Sequence, residues 1–162
     1  MATEVEMRLH RCCFTGHRPQ KLAVPERIIK KALEEEVKRA IDDGFTTFIS
    51  GMAQGVDIWA AEIIIKLRKK YGLKLICASP FEGFENSWSE DWKRSYRKII
   101  QNADLIKYIC PGYSPACFQI RNEWMVDHST RVIAVYNGEP GGTKNTIDYA
   151  NRMNIAVAQI KG

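Results

Sequence analysis

The chain lacks any uninterrupted apolar stretch close to the roughly 20 residues that a membrane-spanning helix needs. Residues 1–7 include two glutamates and no apolar signal region. No Gly/Ser/Pro-rich linker and no shift in composition divides the 162 residues, of which 45% are hydrophobic. We therefore expect one domain over residues 1–162, in a soluble, cytoplasmic protein with no membrane partner.

Cysteine pairs and metal-ligand spacings are also missing. The five cysteines are an odd number, Cys12 and Cys13 are adjacent, and Cys77 and Cys110 fall in apolar, strand-like segments. Such cysteines are expected to be buried free thiols. His10 and His128 have no partners at metal-ligand spacing, so no metal site is predicted.

The excess of positive charge is small. The formal net charge is +5, and the basic residues are spread along helical segments and interleaved with glutamates. Faces of this kind are usually only solvated. A small positive balance favours a phosphorylated ligand or a nucleic acid and does not distinguish between them.

Short apolar segments alternate with helical patterns along the chain. Strands are predicted at residues 9–14, 45–49, 73–78, 105–110, 131–136 and 155–160, and helices at 25–43, 56–71, 88–102, up to about 128, and 143–153. Strands that are separated by helices of this length pair in parallel through right-handed crossovers. The predicted fold is α/β: a Rossmann-like, doubly wound, mainly parallel sheet with helices on both faces. Residues 79–91 form a long polar and aromatic connection, either a binding loop or lid or a plain surface excursion.

Three glycine-bearing turns each follow a predicted strand and precede a helix. At the carboxyl ends of parallel strands, helix N-termini and free backbone N–H groups converge on a crevice that suits phosphate. The sequence therefore predicts a nucleotide-like small molecule as the ligand. The predicted ligand-binding residues are Thr15, Gly16, His17, Arg18, Ser50, Gly51, Gly55, Asp57, Gly141, Gly142, Thr143 and Lys144.

The second turn has the spacing Gly51-x-x-x-Gly55-x-Asp57. It is neither the GxGxxG dinucleotide fingerprint nor a phosphate loop that ends in Gly-Lys-Ser/Thr. The sequence therefore does not favour a classical dinucleotide-binding protein or a triphosphate-hydrolysing protein. Asp57 falls in the first turn of a helix, where a carboxylate either caps N–H groups or contacts a hydroxyl of the ligand.

The polar residues near the other turns also have two interpretations each. His17 and Arg18 suit charge-assisted contacts with phosphate, or else His17 caps the turn and Arg18 forms a surface salt bridge. Arg121 contacts the ligand or pairs with Asp127 across the helix. Thr143 is expected to be the N-cap of its helix with or without a ligand, and Lys144 is close enough in sequence to reach an anion.

Four segments, residues 15–19, 51–57, 125–129 and 141–143, resemble the YpsA-type proteins of the SLOG superfamily, and the resemblance runs over nearly the whole chain. It implies a Rossmann-like sheet that binds nucleotides or nucleotide derivatives such as ADP-ribose, with the glycine turns in the pocket. For the YpsA-type branch it implies no established reaction and no established cofactor.

The resemblance extends to two relatives that imply different functions. Arg121 and residues 140–143 are similar to elements of the LOG-type phosphoribohydrolases, which split nucleoside monophosphates into base and ribose 5-phosphate. Thr146, however, occupies the position of their catalytic glutamate. A threonine cannot supply the carboxylate that such a reaction needs. Arg121 and Glu123 are therefore the candidate catalytic residues if the chain is an enzyme of this class, with Asp148 as another carboxylate nearby.

Residues 50–57 also resemble a turn of the DprA-type proteins, which implies single-stranded DNA as an alternative ligand. The basic residues for such a groove are Arg18, Lys21, Lys93, Arg94 and Arg97, and the aromatic residues are Phe84, Trp88, Trp92 and Tyr96. Since Trp88, Trp92 and Tyr96 recur at four-residue spacing, their packing against the sheet is the favoured interpretation. Tyr113, Phe118 and Trp124 are candidate contacts of a homodimer.

Overall fold

A computed structural model describes residues 1–162, which form a six-stranded sheet flanked by helices. The strands are β1 (Arg11–Gly16), β2 (Thr47–Ser50), β3 (Lys74–Ser79), β4 (Leu105–Tyr108), β5 (Arg131–Tyr136) and β6 (Ala156–Lys161). The helices are α1 (Glu4–Arg8), α2 (Glu26–Asp42), α3 (Val56–Tyr71), α4 (Glu90–Asn102), α5 (Cys117–Asp127) and α6 (Gly142–Arg152), and short 3-10 helices span Pro19–Lys21 and Phe84–Ser87.

All the strands are parallel, and their order is β4-β3-β2-β1-β5-β6. The chain moves outward from β1 to β4 and then returns to place β5 on the other side of β1. Thr15 of β1 lies opposite Ala134 of β5 at this point of reversal. In sheets of this type, ligands bind beyond the carboxyl ends of the strands where the order reverses.

The helices cover both faces of the sheet, because side chains alternate along each strand. On one face, Cys12 and Phe14 of β1 join a core with α2, α3 and α4. On the other face, Cys13 packs in a smaller core with Met125 of α5 and Ile147 of α6. The predicted α/β, Rossmann-like fold is confirmed, and the sheet is entirely parallel.

The helical pattern of α2 shows how the sequence sets this packing. Ile29, Leu33, Val37 and Ala40 recur every three or four residues and are all buried. They form one stripe that faces the core, while charged residues occupy the outer side. None of the helices is long and apolar enough to cross a membrane.

Several element boundaries differ from the prediction. Helix α1 was not predicted, and it begins with a capping box in which Thr3 and Glu6 bond each other's backbone N–H. Helix α4 begins at Glu90, so Trp88 lies before it, at the end of the short 3-10 helix. Strand β4 ends at Tyr108.

All five cysteines are free thiols. Cys110 is half-buried, and the other four are buried.

The close approach of β1 to α3 requires a glycine at residue 16. A Cβ atom there would lie 2.5 Å from the Cβ atom of Val56. Because this neighbour is attached directly to the backbone of α3, it cannot rotate away. We therefore expect Gly16→Ala to lower the free energy of unfolding by about 2 kcal/mol, a value typical of overpacking.

Chemical denaturation of the purified protein tests this expectation. The control is Gly112→Ala, because a Cβ atom at Gly112 meets no atom within 4 Å. The control should change the stability by less than about 0.5 kcal/mol. Equal effects of the two substitutions would contradict the steric explanation.

Candidate functional site

A crevice of about 370 Å³ lies where the turns after β1, β2 and β5 meet. It is lined by Thr15, Gly16, His17, Arg18, Lys21, Ala53, Asp57, Phe84, Phe118, Arg121, Asn122, Gly142 and Thr143. The structure thus brings together seven of the twelve predicted ligand-binding residues, namely Thr15, Gly16, His17, Arg18, Asp57, Gly142 and Thr143, and adds Arg121. Asn122, which the sequence grouped with Arg121 as a possible ligand contact, also lines the crevice, and sequence reasoning missed Ala53 of the second turn.

Ser50, Gly51 and Gly55 support the second turn from behind and do not line the crevice. The buried Ser50 hydroxyl donates to the carbonyl of Asp57 at 2.8 Å and accepts from the N–H of Met52 at 3.2 Å. Gly55 has φ +92°, and a Cβ atom there would lie 2.9 Å from the carbonyl oxygen of His17. These residues shape the turn, which explains their pattern in the sequence.

Gly141, Lys144 and Glu123 also lie outside the lining of the crevice. Gly141 is the N-cap of α6. Lys144 pairs with Asp148 at 2.7 Å on an exposed side of the same helix. Glu123, a candidate catalytic residue, accepts a hydrogen bond from Gln119 at 2.9 Å. Neither carboxylate, Glu123 nor Asp148, contributes to the crevice.

Arg121 is the buried cation of the site, with only 5% of its surface exposed. Its Nη1 donates to the carbonyl of Gly51, and its Nε donates to Oδ1 of Asn122 at 2.8 Å. These bonds leave Nη2 without a partner in the protein. The predicted alternative, a pair between Arg121 and Asp127, is wrong, because α5 turns Asp127 toward Tyr149, whose hydroxyl donates to it at 2.6 Å.

Asp57 is buried to the same degree as Arg121, with 5% of its surface exposed. Its Oδ2 accepts the N–H of Ala53 at 3.2 Å, and its Oδ1 is closed off from solvent and has no hydrogen-bond partner. Burial raises the pKa of Asp57 to about 6, although the charge of Arg121 and the Ala53 N–H both favour the carboxylate. The carboxylate thus holds the turn before α3, as one of the two predicted interpretations requires.

His17 connects the turn after β1 with the turn after β5. Its Nε2 accepts the backbone N–H of Asn137 at 3.1 Å, so a neutral ring carries its proton on Nδ1. Burial, and then the charge of Lys21, lower the pKa of His17 below its usual value. The ring also stacks on Tyr136, with 5.8 Å between the ring centroids.

The free positive charge at the crevice comes from Arg18 and Lys21, which are exposed. The salt bridge considered for Arg18 does not form, since no carboxylate lies within ion-pair distance of its guanidinium. Together with Arg121, these side chains outweigh the single acidic residue of the lining, Asp57. The crevice is therefore suited to an anion.

The N-terminus of α6 opens on the same crevice. Thr143 is inside the helix and Gly141 is the N-cap, with no side chain capping the first turn. The prediction of Thr143 as N-cap is wrong, because the glycine pair lets the backbone enter the helix two residues earlier. The N–H groups of the first helical turn have no intrahelical partners, and they carry the positive end of the helix dipole.

A second cavity of about 370 Å³, here called the aromatic cleft, adjoins the crevice. It is lined by Arg18, Ala53, Gln54, Phe81, Phe84, Ser87, Trp88, Tyr113 and Phe118. Arg18, Ala53, Phe84 and Phe118 line both cavities. The long connection at residues 79–91 was the sequence signal for this cleft, and sequence reasoning missed Phe81, Gln54 and Ser87.

The remaining aromatic and basic residues of the predicted DNA groove are engaged elsewhere. Tyr96 is buried, with its hydroxyl 2.8 Å from that of Ser79, and Trp92 packs on Trp59 with 6.5 Å between ring centroids. The favoured prediction of inward packing is therefore right for these two residues. The three basic residues of α4 that were predicted for the groove form ion pairs: Lys93 with Glu90, Arg94 with Asp91 and Arg97 with Glu85.

No group of three or more His, Cys, Asp or Glu side chains comes together in a way that could hold a metal ion. Asp57 is the only carboxylate at the crevice, and Cys12, Cys13 and Cys77 belong to the two cores.

The raised pKa of Asp57 makes the stability of the protein dependent on pH. The folded protein holds the proton of Asp57 more tightly than the unfolded chain does. The protonated Asp57 therefore contributes to the free energy of unfolding below about pH 4, and this contribution is lost as the pH rises through about 6. Relative to an Asp57→Asn variant, the free energy of unfolding of the wild type should therefore fall by about 2–3 kcal/mol between pH 4 and pH 7.5.

Urea denaturation at several pH values measures this difference. The control is Asp42→Asn, the same substitution at an exposed position at the end of α2. For the control, the difference from wild type should vary by less than about 0.5 kcal/mol over the same range. A constant difference between wild type and Asp57→Asn would show that the carboxyl has an ordinary pKa.

Comparison with known proteins gives a consistent assignment. The family model YpsA, described as the YspA SLOG family, matches residues 12–160. The chain is 39% identical to the uncharacterized SPbeta prophage-derived protein YoqJ of Bacillus subtilis over 118 residues, which cover 65% of this chain and 69% of that protein. It is 33% identical to a UPF0398 protein of Macrococcus caseolyticus over an alignment of 163 positions, which covers 91% of this chain and 89% of the relative.

Among solved structures, the fold is similar to two DNA processing A (DprA) proteins at 20% identity. The Streptococcus pneumoniae protein matches with a TM-score of 0.66 over 96% of this chain, which spans 52% of that protein. The Helicobacter pylori protein, whose structure describes a single-stranded DNA binding mode, matches with a TM-score of 0.67 over 98% of this chain and 68% of that protein. With a shared fold and a family match from β1 to β6, the chain belongs to the YpsA family of the SLOG superfamily.

Proposed function

We propose that this protein binds a nucleotide or nucleotide derivative and holds its phosphate in the crevice. The observation that carries the proposal is Arg121, a buried guanidinium that lines the crevice with Nη2 unpartnered. Burying a cation is costly unless charged and hydrogen-bonding partners surround it. Asp57 supplies part of that compensation through its field, without a direct ion pair, and an anionic ligand in the crevice would supply the rest.

The N-terminus of α6 supports the same position for a phosphate. Its first turn presents free N–H groups beside the Thr143 side chain, and Gly142 leaves the backbone accessible. Backbone donors, a helix dipole and mobile cations are the usual components of a phosphate site. Arg18 and Lys21 would provide the mobile cations at the mouth of the crevice.

Asp57 limits where the phosphate goes. Its carboxylate would repel a phosphate, so the phosphate belongs on the side of Arg18, Lys21 and the α6 N-terminus. A volume of about 370 Å³ is within the range of small-ligand sites and suits a mononucleotide-sized group. The adjoining aromatic cleft would leave room for a longer derivative.

The site favours binding or sensing over hydrolysis. Thr146, at the position of the LOG-type glutamate, is 1% exposed, and its hydroxyl donates to the carbonyl of Gly142 at 2.8 Å. The carboxylate that does line the crevice, Asp57, has one oxygen closed off from solvent and the other bonded to the Ala53 N–H. No carboxylate oxygen is thus poised to activate water at a glycosidic bond.

A small ligand is also favoured over single-stranded DNA. A DNA groove needs stacking platforms beside unpaired positive charge. Three of the four cations of α4 are ion-paired, and only Lys98 has no ion-pair partner. Trp92 and Tyr96 pack inward, so that helix offers one unpaired cation and no stacking platform. The likeness to the DprA proteins is a likeness of fold.

A homodimer stays a prediction. Of its three candidate contact residues, Tyr113 and Phe118 line the aromatic cleft.

Ligand binding should raise the melting temperature of the wild type and should fail when the crevice is blocked. At 100 times Kd, a bound ligand adds about 2.7 kcal/mol to the stability, or roughly 5–10 °C for a chain of this length. Gly142→Glu places a carboxylate at the α6 N-terminus without a clash, since the nearest atom to a new Cβ is Asn122 Nδ2 at 3.8 Å. A thermal-shift screen with mononucleotides, dinucleotides and ADP-ribose measures the effect.

The matched control for the added charge is Gln159→Glu, at an exposed position of β6 remote from the crevice. The control should shift with the same compounds as the wild type, and Gly142→Glu should not. The proposal is wrong if no compound stabilises the wild type, or if Gly142→Glu binds as well as the control.

The absence of a poised carboxylate also predicts that no free base is released. Each nucleoside monophosphate, incubated with the wild type and separated by chromatography, should be recovered intact. If the wild type releases base, if Gln159→Glu still releases it and if Arg121→Lys does not, the protein is instead a phosphoribohydrolase.

A further inference from the structure

The aromatic cleft presents several rings edge to face. Phe84 contacts Trp88 with 5.0 Å between ring centroids and an interplanar angle of 74°. Phe81 contacts Tyr113 at 6.1 Å and 84°, and Phe118 at 6.5 Å and 67°. Edge-to-face packing covers one face of one ring in each pair, so the other ring faces are left for contacts with a further planar group.

Most of these aromatic groups remain partly open to solvent. Phe81, Phe84, Trp88 and Phe118 are half-buried, and Tyr113 is 69% exposed. Phe84 and Trp88 also pack against the larger core. Rings that line a cavity and stay partly open retain apolar surface that a ligand can cover. The cleft is therefore built for an apolar, planar occupant.

The cleft adjoins the crevice. Phe84, Phe118 and Arg18 line both cavities. A molecule that spans both must be anionic at one end and aromatic at the other. Arg18 suits the junction, because a guanidinium pairs with phosphate and also stacks on aromatic rings.

We propose that the aromatic cleft binds the nucleobase of the ligand whose phosphate occupies the crevice. This inference rests on the proposed function and adds a second subsite to it. The base stacks against Phe84, Phe118 and Tyr113, and Tyr113, held by ring contacts at an exposed turn, covers it from the solvent side. The polar side chains of Gln54 and Ser87 line the same cleft and are available to the edge of the base.

Deleting the base from the ligand tests this arrangement. Isothermal titration compares the four ribonucleoside monophosphates with ribose 5-phosphate on the wild type. The best monophosphate should bind at least about 5-fold more tightly, because stacking of one base adds about 1–3 kcal/mol. Tyr113→Ala should weaken that monophosphate by about 5- to 10-fold and leave the affinity for ribose 5-phosphate unchanged.

Tyr108→Ala is the matched control, since Tyr108 is a partly exposed tyrosine outside both cavities. It should bind both compounds as the wild type does, and melting curves of the two variants confirm that each is folded. Because Tyr113 is mostly exposed, its truncation should leave the fold intact.

The outcomes separate the two proposals. Equal affinities of the wild type for the monophosphates and ribose 5-phosphate, or monophosphate binding that Tyr113→Ala leaves unchanged, would overturn the base subsite and leave the phosphate crevice standing. Binding of none of these compounds or of the longer nucleotides would overturn both. Tighter binding of an oligodeoxythymidine than of any mononucleotide, weakened in Tyr113→Ala, would show instead that the cleft is a platform for single-stranded DNA.

Discussion

The geometry of the crevice depends on the burial of one cation. Arg121 projects from α5 under the turn that follows β2, and it donates to the carbonyl of Gly51 and to Asn122 of its own helix. A guanidinium in this position joins the two sides of the crevice, since α5 lies on the opposite face of the sheet from α3. The same group places fixed positive charge at the base of the crevice, where the field of Asp57 favours its charged state.

The residues around Arg121 divide into those that bind the turns together and those that remain free. Asp57 and Ser50 form hydrogen bonds within the second turn, and His17 accepts a hydrogen bond from the backbone beyond β5. The side chains of Arg18 and Lys21 form no ion pair, and no side chain caps the N–H groups of the first turn of α6. This division places rigid polar groups at the back of the crevice and adaptable positive charge at its mouth.

The motifs that resemble different relatives meet in one crevice. The Ser50 to Asp57 turn and the Gly141 to Thr143 turn both contribute to one crevice, so each resemblance describes part of the same site. Thr146 and Asp57 set the chemical character of that site, because one is a hydroxyl turned to its own helix and the other is a carboxylate enclosed by the protein.

The sequence by itself determined the succession of the six strands and the five helices between them, the parallel pairing and the position of the three turns. These follow from local apolar periodicity and from the steric rule for crossovers between parallel strands. It did not determine which of the turn residues face the crevice, because Ser50 and Gly55 serve the backbone of the turn while Asn122 and Ala53 line the space. Tertiary structure alone decided that Arg121 points away from Asp127, and that residues 81–88 and 113–118 enclose an aromatic cleft. Such contacts join segments that are distant in the sequence, and the direction of each side chain there depends on the packing of both faces of the sheet.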